Sequence, residues 1–346
     1  MQATQNNQTV CMLGCGAWGT AVAMLLAENG YTVKLWCHEK EVADAITTNG
    51  YNEQYLPGVK LHTNIIATHD LEDALCGTQV VFEATPVKFL RSVLQEASYC
   101  ISTQQIWVIL SKGIEQETLL LPSQIIDDVF RDVGNGVIHK VVFSGPSFAH
   151  DLVRKQITAV TIAANDCDVA RTVQAMLANS YFRPYIALDP IGAQVGGALK
   201  NVIALGVGML DGAGYTDNAK AFLLTRGLDE MKQLTVMLGG KPETLQGLSG
   251  IGDLVLTAMG RLSRNLTIGR QFGKGARLDF IAQNGNLPEG VGTCKSVYQI
   301  IQKNNLDLPI CLGVYAVIFE GKSVQQMMQE LMALPLGNEC TTDSSR

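Results

Sequence analysis

The 346-residue chain lacks any dense run of basic residues, and its overall charge is acidic. It has 26 Lys and Arg against 32 Asp and Glu, for a net charge of −6 and a pI near 5.4. A nucleic-acid surface needs clustered positive charge, so nucleic acid is not an expected partner. Histidine is also scarce: the five present have no i, i+4 pair and no H-x-x-E-H spacing. No metal site is therefore predicted.

No C-x-x-C motif occurs among the nine cysteines, several of which fall inside predicted strands or helices. Such usage indicates small buried hydrophobes in a reducing compartment. The polar, uncharged start of the chain lacks the pattern of a secretory signal, so we expect a cytoplasmic protein. The longest low-charge segment, 191–210, has membrane-spanning length, but Gln194, Lys200 and Asn201 favour a buried helix of a soluble domain without membrane insertion.

What the chain does have is a G-x-G-x-x-G turn between a strand and a helix. Residues 9–13 predict a strand, and an apolar helical pattern follows the turn. Gly14 permits the tight turn, Gly16 lets the backbone approach phosphate and Gly19 lets the helix pack close to the strand. The helix N-terminus offers N–H groups to an anion. The turn predicts a dinucleotide site and redox chemistry with a nicotinamide or flavin.

Alternating strands and helices in the first half predict an α/β fold, a Rossmann-like mostly parallel sheet covered on both faces. After residue 189 the pattern is helical, without a convincing strand. We predict a dinucleotide-binding domain at 1–189, an all-helical substrate domain at 190–335 and a disordered tail at 336–346. Beyond 9–13, the predicted strands are 32–37, 79–84, 106–110 and 140–143, with a weaker α/β stretch at 158–188.

Polar segments follow three of these strands, at 85–89, 111–115 and 144–149. Because ligands of parallel sheets bind beyond the carboxyl ends of strands, we expect all three around one crevice with the glycine turn. Oxidation of an alcohol needs a proton acceptor, and no histidine follows residue 150. Lys200, on an apolar helix, is the leading candidate, because desolvation and nearby cations would lower its pKa. A snorkelling lysine is an equal alternative.

Three further groups are candidates from their positions. Lys112 follows a strand and either reaches the substrate or is an ordinary loop lysine. Asp253 and Thr257 share a helix face, and Asp253 either orients a catalytic lysine or caps the helix. The Ser-Arg-Asn run at 263–265 opens a helix and suits phosphate or carboxylate, although a capping motif looks the same. Together they suggest a small anionic substrate between two domains.

Eight motifs occur in the order found in one enzyme family, over about residues 9 to 330. They are GCGAWGTA at 14–21, SKG at 111–113, GPSFA at 145–149, GALKNV at 197–202, TRG at 225–227, GDLVLT at 252–257, SRN at 263–265 and EGV at 289–291. The chain thereby resembles bacterial-type NAD(P)-dependent glycerol-3-phosphate dehydrogenase. The resemblance implies reversible NAD(P)H-dependent reduction of dihydroxyacetone phosphate to sn-glycerol 3-phosphate, for glycerophospholipid synthesis, and a homodimer.

The resemblance also implies residue roles, with Lys200 as general acid/base and Lys112 and Asp253 as its catalytic partners. Tyr55 and Phe89 are the weaker cofactor candidates, since loop packing explains them equally well. The implied substrate contacts are Lys112, Gly145, Ser147, Lys200, Asn201, Asp253, Thr257, Ser263, Arg264 and Asn265. The implied cofactor contacts are Gly14, Gly16, Ala17, Trp18, Gly19, His38, Tyr55, Phe89, Lys112, Ala149, Arg264, Leu287 and Glu289.

Cofactor preference depends on the end of the second predicted strand. NAD-specific folds usually place an acid there, whereas here His38 precedes Glu39. His38 suits the 2′-phosphate of NADPH, whereas Glu39 would repel it. We expect a weak preference for NADPH over NADH. Two other functions stay open: a related two-domain hydroxyacid dehydrogenase acting on a carboxylate, and an NAD(P)H-binding redox sensor without turnover.

Overall fold

The first half of the chain builds one eight-stranded sheet. The computed structural model describes residues 8–102, 104–131, 138–283, 285, 287–336 and 338. The strands are β1 (Thr9–Leu13), β2 (Thr32–Trp36), β3 (Ile65–Thr68), β4 (Val80–Glu83), β5 (Ile106–Ile109), β6 (His139–Ser144), β7 (Thr158–Ala164) and β8 (Phe182–Ala187).

The strands lie in the order β3-β2-β1-β4-β5-β6-β7-β8. Neighbouring strands are parallel, except that β6 and β7 are antiparallel. The order reverses between β1 and β4, and sheets of this kind bind ligands beyond the strand ends at such a switch point. Strand β3 is not predicted from the sequence, because this four-residue strand lies at the sheet edge and is only half-buried.

Helices and apolar cores cover both faces of the sheet, as the alternating pattern predicts. Most of these helices are short, and they alternate with the strands along the chain. They are α1 (Ala17–Glu28), α2 (Lys40–Asn49), α3 (Leu71–Leu75), α4 (Val87–Ala97), α5 (Pro122–Val129), α6 (Ala149–Val153) and α7 (Cys167–Leu177), with a 3₁₀ turn at Ser98–Cys100.

The second half is helical in the part that the structure describes, which confirms the predicted fold class. The last strand ends at Ala187, and the first long helix begins at Pro190. The predicted tail at 336–346 lies outside the described residues, apart from Leu336 and Asn338. The helices are α8 (Pro190–Gly212), α9 (Asp217–Met237), α10 (Asp253–Met259), α11 (Arg264–Gly273), α12 (Leu278–Gln283), α13 (Glu289–Asn304), α14 (Pro309–Tyr315) and α15 (Val324–Met332), with a 3₁₀ turn at Pro242–Gln246 and π-helical turns at Leu248–Gly252 and Ala316–Glu320.

Helix α8 is the centre of this helical half. It is long and apolar enough to cross a membrane, but its apolar window is wholly buried inside the protein, as the sequence analysis predicts. Its glycines let other helices approach closely. A Cβ on Gly208 would lie 2.3 Å from the carbonyl oxygen of Leu266 and 2.9 Å from the Cα of Gly269, both on α11. The backbones of α8 and α11 therefore touch, and that contact fixes their relative positions.

Adding one methyl group at this crossing should destabilise the fold. Gly208→Ala is expected to lower the free energy of unfolding by about 2 kcal/mol, because backbone cannot move aside as a side chain can. The control is Gly292→Ala in α13, where the new Cβ would meet only the end of the Gln116 side chain. Urea unfolding of both variants checks this, and equal stability of the two would contradict it.

Candidate active site

The glycine turn after β1 has the geometry of a phosphate cradle. Gly14 has a φ of +116°, and a Cβ on Gly19 would lie 2.1 Å from the carbonyl oxygen of Gly14. Gly16 is the N-cap residue of α1, no side chain caps that helix, and nothing lies within 4 Å of the position of a Cβ on Gly16. The open space above Gly16 and the uncapped helix N-terminus fit the pyrophosphate of a dinucleotide.

Asn52 holds this turn in place, although the sequence analysis did not single it out. Its amide nitrogen donates to the carbonyl oxygen of Cys15 at 2.7 Å and to the hydroxyl of Thr20 at 2.8 Å. The Thr20 hydroxyl donates to the same carbonyl at 2.9 Å. Asn52 is buried in a segment without a motif or a periodic pattern, so only the folded structure reveals its role.

Of the residues expected around the adenosine part of a cofactor, His38 and Tyr55 lie near the end of β2, whereas Phe89 lies on α4. The His38 side chain is exposed, with its ring edge-on to Trp36 at 5.9 Å between centroids. The Tyr55 hydroxyl donates to a Glu39 carboxylate oxygen at 2.8 Å. Phe89, on α4, is half exposed, and the Lys88 ammonium lies 4.4 Å from the centre of its ring. Tyr55 and Phe89 thus each have a partner of their own.

One carboxylate joins two lysines at the cleft between the sheet and the helices. Lys200, in the middle of α8, is 7% exposed and donates to Asp253 Oδ1 at 2.5 Å and to the Thr257 hydroxyl at 2.9 Å. Lys112, after β5, donates to Asp253 Oδ2 at 2.6 Å and to the carbonyl oxygen of Gly145 at 3.4 Å. Asp253 is 1% exposed. Residues from three distant parts of the sequence therefore form one charged cluster.

This geometry bears on the alternatives that the sequence left open. Lys200 is buried rather than snorkelling, since its ammonium is bound inside the protein. Asp253 is the first residue of α10, and its carboxylate is bound by both lysines. Lys112 is therefore held in an ion pair.

The environment of the cluster changes the pKa values of Lys200 and Asp253. The pKa of Lys200 is lowered to about 8, because burial lowers it more than the Asp253 charge raises it, and the Lys112 ammonium adds to the lowering. Burial by itself would raise the pKa of Asp253, but the two ammonium groups hold it below its ordinary value. The cluster therefore has one fixed anion and, in Lys200, one group that exchanges a proton near neutral pH.

The polar end of the cleft is built around the start of α11. Ser263 caps this helix, because its hydroxyl accepts from the backbone N–H of Leu266 at 3.2 Å. The Asn265 amide donates to Asn201 Oδ1 at 3.0 Å, and its carbonyl oxygen accepts from the N–H of Gly290 at 3.2 Å. The capping interpretation thus holds for Ser263, while the amide pair ties α8, α11 and α13 together.

Arg264 and Glu289 face the same cleft as the lysines. Arg264 is the first residue of α11 and is exposed. Its charge acts on Glu289, at the start of α13, together with the charges of Lys88, Lys112 and Lys200. Four cations therefore lie close enough to Glu289 for their charges to act on it.

The remaining predicted residues connect the lysine cluster with the glycine turn. A Cβ on Gly145 would lie 2.9 Å from the Cα of Val160, and the Ser147 hydroxyl donates to the carbonyl oxygen of Gly145 at 3.0 Å. Ala149 begins α6, which packs against α1. In α1, Ala17 is the first residue and Trp18 lies edge-on to Phe143. Leu287 is partly exposed just before α13.

Three polar residues beside the cluster had no role of their own predicted from the sequence, although Ser111 and Ser144 lie in the polar segments 111–115 and 144–149. Glu83, at the end of β4, is fully buried and accepts from the Ser111 hydroxyl at 2.5 Å. The hydroxyl of Ser144 is buried against Gly197 and has no hydrogen-bond partner within the described part of the chain. The sequence signal for Glu83 is a charge that ends an apolar strand, and the signal for Ser111 is its place in the SKG motif.

A dinucleotide cradle on the sheet and a buried lysine–aspartate cluster between sheet and helices define the class. This is a two-domain, dinucleotide-dependent dehydrogenase architecture.

Family models make the assignment more specific. The model described as NAD-dependent glycerol-3-phosphate dehydrogenase N-terminus matches residues 9–170, and the corresponding C-terminus model matches residues 189–329. The chain belongs to the NAD-dependent glycerol-3-phosphate dehydrogenase family, which confirms the resemblance found in the sequence.

Individual relatives agree. The chain is 42% identical over 325 residues to glycerol-3-phosphate dehydrogenase [NAD(P)+] of Bacillus velezensis, covering 94% of each protein. The crystal structure of the Coxiella burnetii enzyme matches with a TM-score of 0.89 and 32% identity, over 95% of this chain and 99% of that one. The Saccharomyces cerevisiae enzyme matches with a TM-score of 0.81 and 25% identity, over 94% and 99% of the two chains.

Removing the charge of Asp253 should change the protonation of Lys200. In Asp253→Asn the lysine loses its anionic partner but stays buried beside Lys112, so its pKa is expected to fall below 8. NMR titration of isotopically labelled lysine side chains measures this shift.

The matched control is Asp211→Asn, which removes another aspartate bound by two cations, Lys220 and Arg270, away from the cluster. It should leave the pKa of Lys200 unchanged. A pKa of Lys200 that rises in Asp253→Asn would show that this carboxylate does not stabilise the ammonium.

Proposed function

We propose that this protein reduces dihydroxyacetone phosphate to sn-glycerol 3-phosphate with NAD(P)H, and catalyses the reverse oxidation. The observation that carries the proposal is the buried Lys200 ammonium, bound to Asp253 and Thr257 in the cleft that the dinucleotide cradle faces. The names of the relatives supply the substrate, since those proteins are glycerol-3-phosphate dehydrogenases. The product is the backbone precursor of glycerophospholipids, so the proposal includes that metabolic role.

Lys200 is the proposed general acid and base. When bound, the reduced nicotinamide supplies the hydride that the ketone carbon accepts. Lys200 then gives its proton to the oxygen of that carbon, and in the oxidation it takes the proton back. With a pKa of about 8, the lysine populates both forms near neutral pH. Asp253 holds the ammonium in place, and Lys112 adds a second positive charge beside the developing alkoxide.

The substrate phosphate is assigned to the start of α11. Arg264 offers a planar guanidinium that matches phosphate oxygens, and the helix N-terminus adds backbone N–H groups and a favourable dipole. Asn201 and Asn265 stiffen this end through their amide pair. Gly145, Ser147, Thr257 and Ser263 complete the proposed substrate contacts. Binding the phosphate orients the carbonyl carbon toward Lys200.

The cofactor is assigned to the cleft above the turn, with NADPH preferred over NADH. Glu39 has one carboxylate oxygen occupied by the Tyr55 hydroxyl, while His38 remains exposed for a 2′-phosphate. The other proposed contacts keep the places described above: Gly14, Gly16, Ala17, Trp18, Gly19, Phe89, Lys112, Ala149, Arg264, Leu287 and Glu289.

In the proposed organisation, the protein has two domains and assembles as a homodimer. Residues 1–189 are assigned to the cofactor domain and 190–335 to the substrate domain, a division supported by the end of β8 at Ala187 and the start of α8 at Pro190. A homodimer is the proposed assembly.

The first test is steady-state oxidation of NADPH and NADH, in parallel, with dihydroxyacetone phosphate. A panel of 2-keto acids serves as the comparison. Turnover with the phosphorylated ketone alone supports the proposal. Turnover only with keto acids would support a hydroxyacid dehydrogenase, and saturable cofactor binding without turnover would support a redox sensor.

Replacing Lys200 should abolish turnover and leave cofactor binding intact. Lys200→Ala is expected to lower kcat at least about 10²-fold, because proton transfer loses its donor. The control is Lys220→Ala, a surface lysine paired with Asp211 and Asp217. Near-normal kcat in Lys200→Ala would refute the assignment.

The pH dependence of the wild type follows from the same group. Oxidation of glycerol 3-phosphate needs neutral Lys200, so its rate should rise with pH through about 8. Ketone reduction needs the ammonium, so its rate should fall over the same range. Steady-state rates measured in both directions check these opposite slopes.

Replacing His38 tests the cofactor preference. His38→Ala should lower kcat/KM for NADPH about tenfold, the equivalent of one hydrogen bond to a charged group, and leave kcat/KM for NADH within about twofold. Parallel assays with both cofactors measure the ratio. An equal loss with both cofactors would mean that His38 does not contact the 2′-phosphate.

A further inference from the structure

Glu83 is a buried carboxyl directly beneath the cleft. It is the last residue of β4, in the middle of the sheet, opposite Leu13 of β1 and Ile109 of β5. Its surface is fully buried. An unpaired carboxylate at such a place would cost several kcal/mol of desolvation, so its hydrogen bonds matter.

The partners of Glu83 belong to two loops that line the cleft. One carboxylate oxygen accepts from the backbone N–H of Thr85 at 2.6 Å, and the other accepts from the Ser111 hydroxyl at 2.5 Å. Ser111 immediately precedes Lys112, whose ammonium binds Asp253. A continuous set of contacts therefore joins Glu83 to the lysine cluster through a single peptide unit.

Opposing effects set the pKa of Glu83. Burial raises its pKa to about 7, although the bonds from Ser111 and Thr85 act in the opposite direction. Glu289, from α13, also raises it by charge repulsion. The cationic groups of this cleft are Lys112 after β5, Lys200 on α8, Arg264 on α11 and Lys88 on α4, while Asp253 on α10 is the other anion.

We propose that Glu83 is a positioning residue on the nicotinamide side of the cleft, which fixes the Lys112 loop through Ser111 and, when ionised, favours the oxidised cofactor over the reduced one. This inference rests on the proposed dehydrogenase function. The nicotinamide ring must lie beside Lys200 for hydride transfer. The chain after Glu83 lies against the glycine turn, since a Cβ on Gly14 would be 3.0 Å from the Ala84 carbonyl oxygen, and Ser111 leads into Lys112, which shares Asp253 with Lys200.

The physical reason is the difference in charge between the two cofactor forms. The oxidised nicotinamide ring is a cation, whereas the reduced ring is neutral. A nearby carboxylate in a poorly solvated place attracts the cation and is itself driven to ionise. Affinity for the oxidised cofactor should therefore rise with pH through about 7, whereas the Glu83 charge leaves affinity for the reduced form unchanged.

Glu83→Gln separates charge from shape, because the amide oxygen keeps an acceptor for the Thr85 N–H while the amide nitrogen can donate to the Ser111 hydroxyl oxygen. Calorimetric titration with each cofactor form, at pH 6 and pH 8, reads binding without turnover. At pH 8 the variant should bind the oxidised cofactor about tenfold more weakly than the wild type and the reduced cofactor within about twofold. At pH 6, where the wild-type carboxyl is protonated, the two proteins should bind alike.

A second variant tests the link to Lys112. Ser111→Ala keeps the charge of Glu83 but removes the bond to the loop, so kcat for ketone reduction should fall about tenfold. Because the Ser111 bond lowers the pKa of Glu83, the pH at which oxidised-cofactor affinity rises should move upward in this variant.

The control is Glu230→Gln. Glu230 on α9 is also buried, with a pKa raised to about 7, but it accepts from the backbone N–H groups of Ile310 and Cys311 at the start of α14. This variant should change thermal stability without altering the pH dependence of cofactor binding.

Each result either supports or overturns the inference. Wild-type pH dependence of oxidised-cofactor binding in Glu83→Gln, or wild-type kcat together with an unmoved pH break in Ser111→Ala, would overturn it. If Glu83→Gln fails to fold, the pH break in Ser111→Ala remains decisive. Absence of ketone reduction by the wild type would instead overturn the proposed function, so the two failures are distinguishable.

Discussion

The site depends on one carboxylate shared by two ammonium groups. Asp253 is buried with Lys112 and Lys200 bound to its two oxygens, one from the sheet side and one from α8. Without this anion, the buried Lys200 and the partly buried Lys112 would repel each other, and the desolvation cost of the Lys200 ammonium would be uncompensated. With this anion present, Lys112 keeps its place and the pKa of Lys200 is about 8. The same contact joins the two halves of the protein at the cleft.

That contact is possible only because α8 is narrow where it meets its neighbours. A Cβ on Gly197 would lie 3.0 Å from the Ser144 hydroxyl and 3.4 Å from the Lys112 stem, and one on Gly196 would lie 2.4 Å from the Ser249 carbonyl oxygen. These glycines cost helix propensity, which is recovered when the sheet end and the π-helical turn before Asp253 pack against the helix. The glycines of α8 therefore allow the close packing of the fold and also place Lys200 beside Asp253.

Much of this could be predicted from local patterns. The glycine turn and the strand–helix alternation depend on short-range chemistry, and Lys200 stands out because a charge interrupts an apolar helix. The edge strand β3, Asn52 and Glu83 escaped notice for a common reason: their roles come from partners distant in sequence. Asn52 acts on Cys15 and Thr20, and Glu83 acts on Ser111. Hydrophobic periodicity indicates which face of an element is buried, but it does not indicate which polar group from elsewhere in the chain will contact that face.

The two buried acids Asp253 and Glu83 differ in protonation because their hydrogen-bond partners differ in charge. Asp253 meets two full positive charges and stays ionised, so it orients groups without exchanging protons. Glu83 meets only neutral donors, so burial outweighs its hydrogen bonds and raises its pKa to about 7. In the proposed reaction, the fixed charge of Asp253 preserves the position of Lys200, whereas the proposed role of Glu83 lets its charge follow that of the nicotinamide.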